Sequence, residues 1–191
     1  MVKQLLWAGL LGLAGCQTSR PQSPTGIYKT AAAFRQRQPS LAGLNAGKVF
    51  LARKVYVVNA PGSGERRTKV SLDSVWGYAG SNHVAYRLYK HAAYEVEQAD
   101  TLSIYSRLTS NGKTQQRIYF FSQGLTGPVQ RLSKKYLKQA YADNPRFLDP
   151  LASMKWYHSL AFYESPPAGP RSFRVVALYR QSLGMPATYA H

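Results

Sequence analysis

Four short segments between residues 83 and 122 are predicted to be strands, and in the first two of them polar and apolar side chains alternate, which is typical of strands with one buried face. The dipeptide Asn111-Gly112 lies between the last two segments and strongly indicates a tight hairpin. Short strands joined by short turns pair with their neighbours, so these segments predict an antiparallel sheet, which could roll into a partial barrel. The four segments are 83–90, 93–98, 101–108 and 115–122.

Further strands are predicted on either side of this group. Residues 48–59 are rich in β-branched and aromatic side chains, residues 60–65 form a turn, and residues 66–72 alternate. Residues 171–181 also alternate and predict a last strand that returns to the sheet.

Three helices are predicted from their start signals. Thr30 precedes a run of helix formers and predicts a short helix over 31–37. Ser133 can cap a helix that begins at Lys134. Asn144 followed by Pro145 opens another helix, because proline fits the first helical position. Strands followed by helices and one more strand indicate an α+β domain.

The N-terminal residues 1–15 have the layout of a secretory signal peptide. Lys3 gives a positive charge, residues 5–14 are apolar, and small residues follow. The apolar run of ten residues is too short to span a bilayer, which needs about 20. Residues 16–25 are polar and contain two prolines, so they predict a tether to a single domain over 26–191.

The tetrapeptide Leu13-Ala14-Gly15-Cys16 resembles the lipobox of bacterial lipoproteins. The resemblance implies signal-peptidase recognition by the first three residues, and it implies a diacylglycerol on Cys16 with added acyl chains such as palmitate. Several acyl chains anchor a protein stably. An ordinary secretory signal with an incidental cysteine is the alternative. Cys16 is the chain's one cysteine, so a disulfide within the chain is excluded.

The location within the envelope follows from the residues after Cys16. Acidic residues directly after the cysteine resemble the surface-export signal of some bacterial lipoproteins. Residues 17–20 contain no acid and end in Arg20. We therefore expect the protein on the outer membrane, facing the periplasm.

The net charge of +17, from 25 basic and 8 acidic residues, favours anionic partners such as phospholipid head groups or acidic glycans. A generally basic envelope protein is the simpler alternative. Nucleic acid is not expected, because a lipid-anchored envelope protein rarely meets it. The densest basic clusters, and thus the candidate contacts to an anionic ligand, are Arg66, Arg67, Lys69, Lys134, Lys135 and Lys138.

Catalytic and metal motifs are weak. The stretch 41–50 approaches a phosphate-binding loop, but Ala42 stands where the first glycine belongs and Val49 replaces the metal-binding hydroxyl. A Gly-x-Ser-x-Gly motif is missing, and the four histidines lack the spacing of a zinc protease. The sequence therefore predicts no catalytic residue, metal or cofactor.

Two carboxylates share one face of a predicted strand. Glu95 and Glu97 would lie about 6.6–7 Å apart, near the spacing of an inverting glycosidase. A solvated pair on the wet face of a strand is the preferred interpretation. An envelope hydrolase with a site around Glu95, Glu97 or Asp73 remains a second hypothesis, and a carrier of an apolar ligand a third.

Fourteen tyrosines form the chain's largest aromatic group. In 75–78, 86–90 and 104–107 they interleave with cations, and aromatic faces beside arginine could bind sugars or stack on arginine. Tyrosines half-buried in strands are the preferred interpretation.

The segments "GIYKTAAAF" (26–34), "VWGYAGSNHVAYRLYKHAAYEVEQADTLSIYSR" (75–107), "YFFSQGLTGPVQRLSKKYLKQAYADNPRF" (119–147) and "FRVVALYRQ" (173–181) resemble a family of small uncharacterised Bacteroidota proteins. The resemblance implies an envelope location and a single domain, and no activity. The expectation is a non-enzymatic, lipid-anchored envelope protein that contacts an envelope polymer or another protein.

Overall fold

A computed structural model describes residues 22–42, 55–59, 67–110, 112–154, 160–161, 163–164 and 172–185. The signal segment 1–15, Cys16, most of the tether, the 60–65 turn and Arg66 lie outside the described residues. Asn111 of the predicted hairpin turn also lies outside them.

The strands in the described residues are β1 Gly26–Tyr28, β2 Leu41–Ala42, β3 Val55–Asn59, β4 Arg67–Ser71, β5 Gly77–Ala79, β6 Ala85–Tyr89, β7 Ala92–Gln98, β8 Leu102–Ser110, β9 Gln115–Gln123, β10 Gln130–Arg131, β11 Tyr163–Glu164 and β12 Ser172–Phe173. Eight of these strands form one antiparallel sheet, in the order β10-β9-β8-β7-β6-β5-β1-β2, and two smaller pairs are β3-β4 and β11-β12. The antiparallel sheet and the α+β class are confirmed. The sheet is not closed in the described part of the chain, so the barrel is not confirmed.

The helices in the described residues are α1 Ala31–Arg35, α2 Lys134–Ala140, α3 Pro145–Ser153 and α4 Arg174–Ser182, with a short 3-10 turn at Leu72–Ser74. The three predicted caps are confirmed. The Thr30 hydroxyl accepts a hydrogen bond from the Ala33 amide at 3.1 Å. Ser133 and Asn144 cap α2 and α3 in the same way, at 3.3 and 3.1 Å.

The predicted last strand over 171–181 is wrong. Two residues of it are strand β12, and the rest is helix α4. Val175 and Val176 are adjacent and both fully buried, and Tyr179 lies four residues after Val175. A helix places these three side chains on one side, whereas a strand would point the two valines to opposite faces.

The two faces of the sheet are packed against different parts of the chain. On the face that bears Ile104 and Phe121, here called the helix face, these residues pack against helices α2 to α4. Farther along the same face, Val70 of β4 packs on Ile27 and Val75. The strand register shows that the two regions lie on one face. Ile27 pairs with Tyr78, and the chain of paired residues runs through Tyr86 and Glu95 to Ser106, which is two residues from Ile104 on β8.

The opposite face, here called the loop face, bears Tyr105 and is covered by α1 and the loop 124–129. The Trp76 ring stacks on Phe34 with ring centroids 4.4 Å apart. The Trp76 indole N–H also donates to the Leu125 carbonyl oxygen at 2.7 Å. Trp76 therefore fastens both coverings to the sheet.

The two motifs singled out in the sequence are neighbours in the sheet. Strand β1 carries the Gly-Ile-Tyr of 26–28, and it pairs with β5, which carries the Gly-Tyr of 77–78. The Trp76 amide donates to the Tyr28 carbonyl oxygen at 3.0 Å.

Candidate functional site

The turn between β6 and β7 is unusual for its composition. Tyr89 pairs with Ala92, which leaves Lys90 and His91 as a two-residue loop. Both loop residues have positive φ angles, 46° and 61°. This conformation is that of a type I′ turn, for which Asn-Gly is strongly preferred because L side chains rarely adopt a positive φ.

A cleft of about 210 Å³ lies at this turn. Its apolar part consists of buried Val75 and half-buried Leu88, which belong to one packed cluster. Its other lining residues are Tyr89 and three exposed polar residues. The complete lining is Asp73, Val75, Leu88, Tyr89, Lys90 and His91.

The polar residues of the cleft are not used to hold the fold. Within the described residues, the side chains of Asp73 and His91 make no hydrogen bond or ion pair. The ammonium of Lys90 lies 5.6 Å from the centre of the Tyr89 ring. An acceptor and two donors therefore line one small cleft and are free to contact a ligand, while the Tyr89 ring lies towards Arg87 on the other face of the sheet.

A buried arginine lies against the same tyrosine. The guanidinium of Arg87 is 5.6 Å from the centre of the Tyr89 ring and 5.4 Å from that of Tyr105. Arg87 is 3% exposed, and among the described residues no carboxylate contacts it. Its charge is held by neutral acceptors and adds to the positive potential near Tyr89.

The hydrogen bonds of Arg87 fix the loop face. Its Nη1 donates to the Tyr105 hydroxyl at 3.0 Å and to the Ser122 hydroxyl at 2.9 Å. Its Nη2 donates to the carbonyl oxygens of Thr126 and Gly127, at 3.3 and 2.7 Å. The loop after β9 is thus tied to β6 beneath the Tyr89 ring.

The two glutamates form a separate cluster on the helix face. Nη1 of Arg117 lies 3.1 Å from an oxygen of Glu95 and 2.6 Å from one of Glu97. The Ser106 hydroxyl donates to the same Glu97 oxygen at 2.6 Å. Burial by itself lowers the pKa of Arg117, but the charges and hydrogen bonds of the two glutamates outweigh it and raise the pKa above its ordinary value.

The prediction that these glutamates are solvated is wrong. Their side chains are 12% exposed at Glu95 and 1% at Glu97, although the shared face is confirmed. Glu97 sits at a bulge in β7, where the pairing register shifts between Val96 and Gln98. The cluster joins strands β7, β8 and β9, so it serves the sheet rather than a substrate.

The two predicted basic clusters lie in different parts of the fold, one on α2 and one on β4, and Arg66 of the second lies outside the described residues. Lys134 donates from its ammonium to the carbonyl oxygens of Met154 and, at 3.4 Å, of Ala152, so it holds the end of α3. Lys135 and Lys138 are exposed on α2. Arg67 and Lys69 lie on β4, in the hairpin at the other end of the helix face.

The sequence drew attention to Asp73 and to the 86–90 segment, but it missed the cleft and the part that Lys90 and His91 play in it. The signal that could have found it is a two-residue hairpin loop that lacks Asn and Gly.

In the described residues, no cluster of three or more His, Cys, Asp or Glu could hold a metal ion. The same part of the chain has no helix long and apolar enough to cross a membrane. Comparisons with family models, curated proteins and solved structures found no match.

Proposed function

We propose that the chain is a bacterial envelope protein, anchored through lipid on Cys16 to the outer membrane, whose domain binds an anionic envelope polymer in the periplasm without turning it over. The lipobox-like residues Leu13 to Cys16 support the anchor. The absence of acidic residues in 17–20 supports the periplasmic side.

The observation that carries the binding role is the charge balance of the surface. Exposed cations outnumber exposed carboxylates by ten to three among the described side chains, and such a surface attracts polyanions. The cations are Lys29, Arg35, Arg37, Lys90, Arg107, Lys113, Arg131, Lys135, Lys138 and Arg146, and the carboxylates are Asp73, Asp143 and Asp149.

The fold keeps at the surface the excess of basic over acidic residues that the sequence already has. Glu95 and Glu97 form ion pairs with Arg117, and a carboxylate oxygen of Asp100 lies 3.6 Å from a guanidinium nitrogen of Arg180. Three of the eight acidic residues are thereby turned inward or neutralised. The remaining positive charge faces solvent, where it steers an anionic polymer to the domain.

A second candidate function is hydrolysis in the envelope. The specific observation in its favour is the cleft, where Asp73 and His91 lie together as an acceptor and a donor. The glutamate pair does not favour it, because Arg117 and Ser106 occupy the carboxylate oxygens. Turnover of a glycan that stops in Asp73→Asn would replace the binding proposal.

The test uses the full chain expressed in bacteria. Incorporation of labelled palmitate and sedimentation with membranes are expected for the wild type and lost in Cys16→Ala. The detergent-solubilised chain is then co-sedimented with peptidoglycan, and with anionic and neutral liposomes, at low and high salt. Peptidoglycan binding that persists at high salt supports the proposal, whereas binding to every anionic surface that disappears with salt contradicts it.

A further inference from the structure

We propose that the cleft at the β6–β7 turn binds one acidic sugar, a pyranose that carries a carboxylate. The inference rests on the proposed function and names the chemical class of the polymer unit that the domain recognises.

The backbone of the turn is the first argument. Lys90 and His91 hold the left-handed conformation that glycine or asparagine adopts with less strain. Strained residues of this kind cluster at binding sites, where the side chain is needed for contact. Both strained residues line the cleft. The turn therefore has two donor side chains at positions where glycine or asparagine would give a less strained backbone.

The second argument is the mixture of groups. Lys90 and His91 donate hydrogen bonds and suit a carboxylate, while the carboxylate of Asp73 accepts them and suits sugar hydroxyls. A phosphate brings more negative charge close to Asp73 than one carboxylate does and offers it few hydroxyls, and a neutral sugar offers no anion to Lys90. A ligand with one carboxylate and several hydroxyls satisfies all three residues.

The third argument is the apolar side of the cleft. Val75 and Leu88 belong to one packed cluster and form an apolar wall that exists before a ligand arrives. A sugar ring has an apolar C–H face that packs on such a surface, and a preformed wall lowers the entropy lost on binding.

The fourth argument is size. The cleft of about 210 Å³ is smaller than the roughly 300–1,000 Å³ of pockets for drug-sized ligands. It therefore fits one ring of a polymer rather than several.

Binding is measured by calorimetry on the detergent-solubilised full chain, with glucuronate, N-acetylmuramate, glucose and inorganic phosphate as probes. We expect the two acidic sugars to bind at least tenfold more tightly than glucose or phosphate. The variants Asp73→Asn and Lys90→Asn/His91→Gly should each weaken acidic-sugar binding at least tenfold. The melting temperature of the double variant should not fall, which separates lost contacts from lost folding.

Arg37→Asn is the matched control. Arg37 is exposed, has a positive φ of 56° and does not line the cleft, so this variant removes one charge and relieves similar strain elsewhere. It should bind acidic sugars as the wild type does. Equal binding of phosphate and glucuronate, or wild-type binding by Lys90→Asn/His91→Gly, would overturn the proposal.

The same variants separate the two proposals. If the double variant loses acidic sugars but the wild-type chain does not co-sediment with peptidoglycan, the cleft stands and the polymer-binding function fails. If the double variant binds both peptidoglycan and acidic sugars as the wild type does, the cleft proposal fails and the function stands.

Discussion

Replacing the strained turn with the sequence that suits it should make the protein more stable. The variant Lys90→Asn/His91→Gly converts the two-residue loop of β6 and β7 to Asn-Gly. Both positions have positive φ, and neither side chain makes a hydrogen bond or ion pair with the described residues. The change therefore removes backbone strain with little loss of side-chain contact.

The magnitude follows from the conformation. A residue other than glycine or asparagine in the left-handed conformation destabilises the folded state by roughly 1–2 kcal/mol. Glycine removes this strain, but its greater freedom in the unfolded chain offsets about 0.5–1 kcal/mol of the gain. The two changes together should raise the free energy of unfolding by about 1–2 kcal/mol. In a domain of this size each kcal/mol moves the melting temperature by about 2–4 °C, so we expect a rise of about 3–6 °C.

Urea unfolding and thermal melting, followed by circular dichroism, measure the effect. Arg37→Asn should be stabilised for the same reason but by less, because it relieves one residue. Lys113→Gly, an exposed turn residue without a positive φ, should give no gain. A double variant that is less stable than the wild type would refute the reasoning. The Lys90 and His91 side chains would then stabilise the folded state by more than their backbone strain destabilises it.

Three other changes test the sheet. Arg87→Met should lower the free energy of unfolding by about 2–4 kcal/mol in urea titrations, because four acceptors lose a charged donor. Arg87→Lys should recover little of this free energy, because lysine lacks the planar fork of donors. A loss below about 1 kcal/mol in Arg87→Met would contradict this role. Burial raises the pKa of Tyr78 to about 12, so the unfolded chain loses this proton first and stability falls between about pH 10 and 12. Tyr78→Phe should flatten that fall in urea midpoints, and an unchanged slope would count against it. Gly77→Ala should destabilise by about 1–3 kcal/mol in the same assay, since its Cβ would meet the Tyr86 carbonyl oxygen; wild-type stability would show that the strands can move apart.

Local signals predicted much of the fold because they act within a few residues. The caps at Thr30, Ser133 and Asn144 depend on one side chain and an amide three residues away, and all three are present. Alternation in 83–90 and 93–98 and the Asn111-Gly112 turn between the next two segments also depend on near neighbours, and they located the four central strands within a few residues.

Features that depend on distant partners could not be predicted in this way. The glutamates are buried because Arg117, about 20 residues later, reaches across β8 past the small side chain of Ser106. The alternation of 171–181 looked like a strand, but packing against α3 favours the helical spacing of Val175 and Tyr179. The cleft likewise needs the 72–74 turn beside the β6–β7 loop, which no single segment reveals.

The edges of the large sheet have a consequence for life on a membrane. Its longest strands, β8 and β9, have nine residues each, whereas the outer strands β2 and β10 have two residues each as described. Strand β10 pairs only with Phe120 and Phe121, so within the described residues the 115–118 end of β9 has no partner strand on its outer side. An exposed edge recruits strands from other molecules. A lipid anchor of the kind proposed would concentrate copies in two dimensions, and this end of β9 is where we expect such copies to pair.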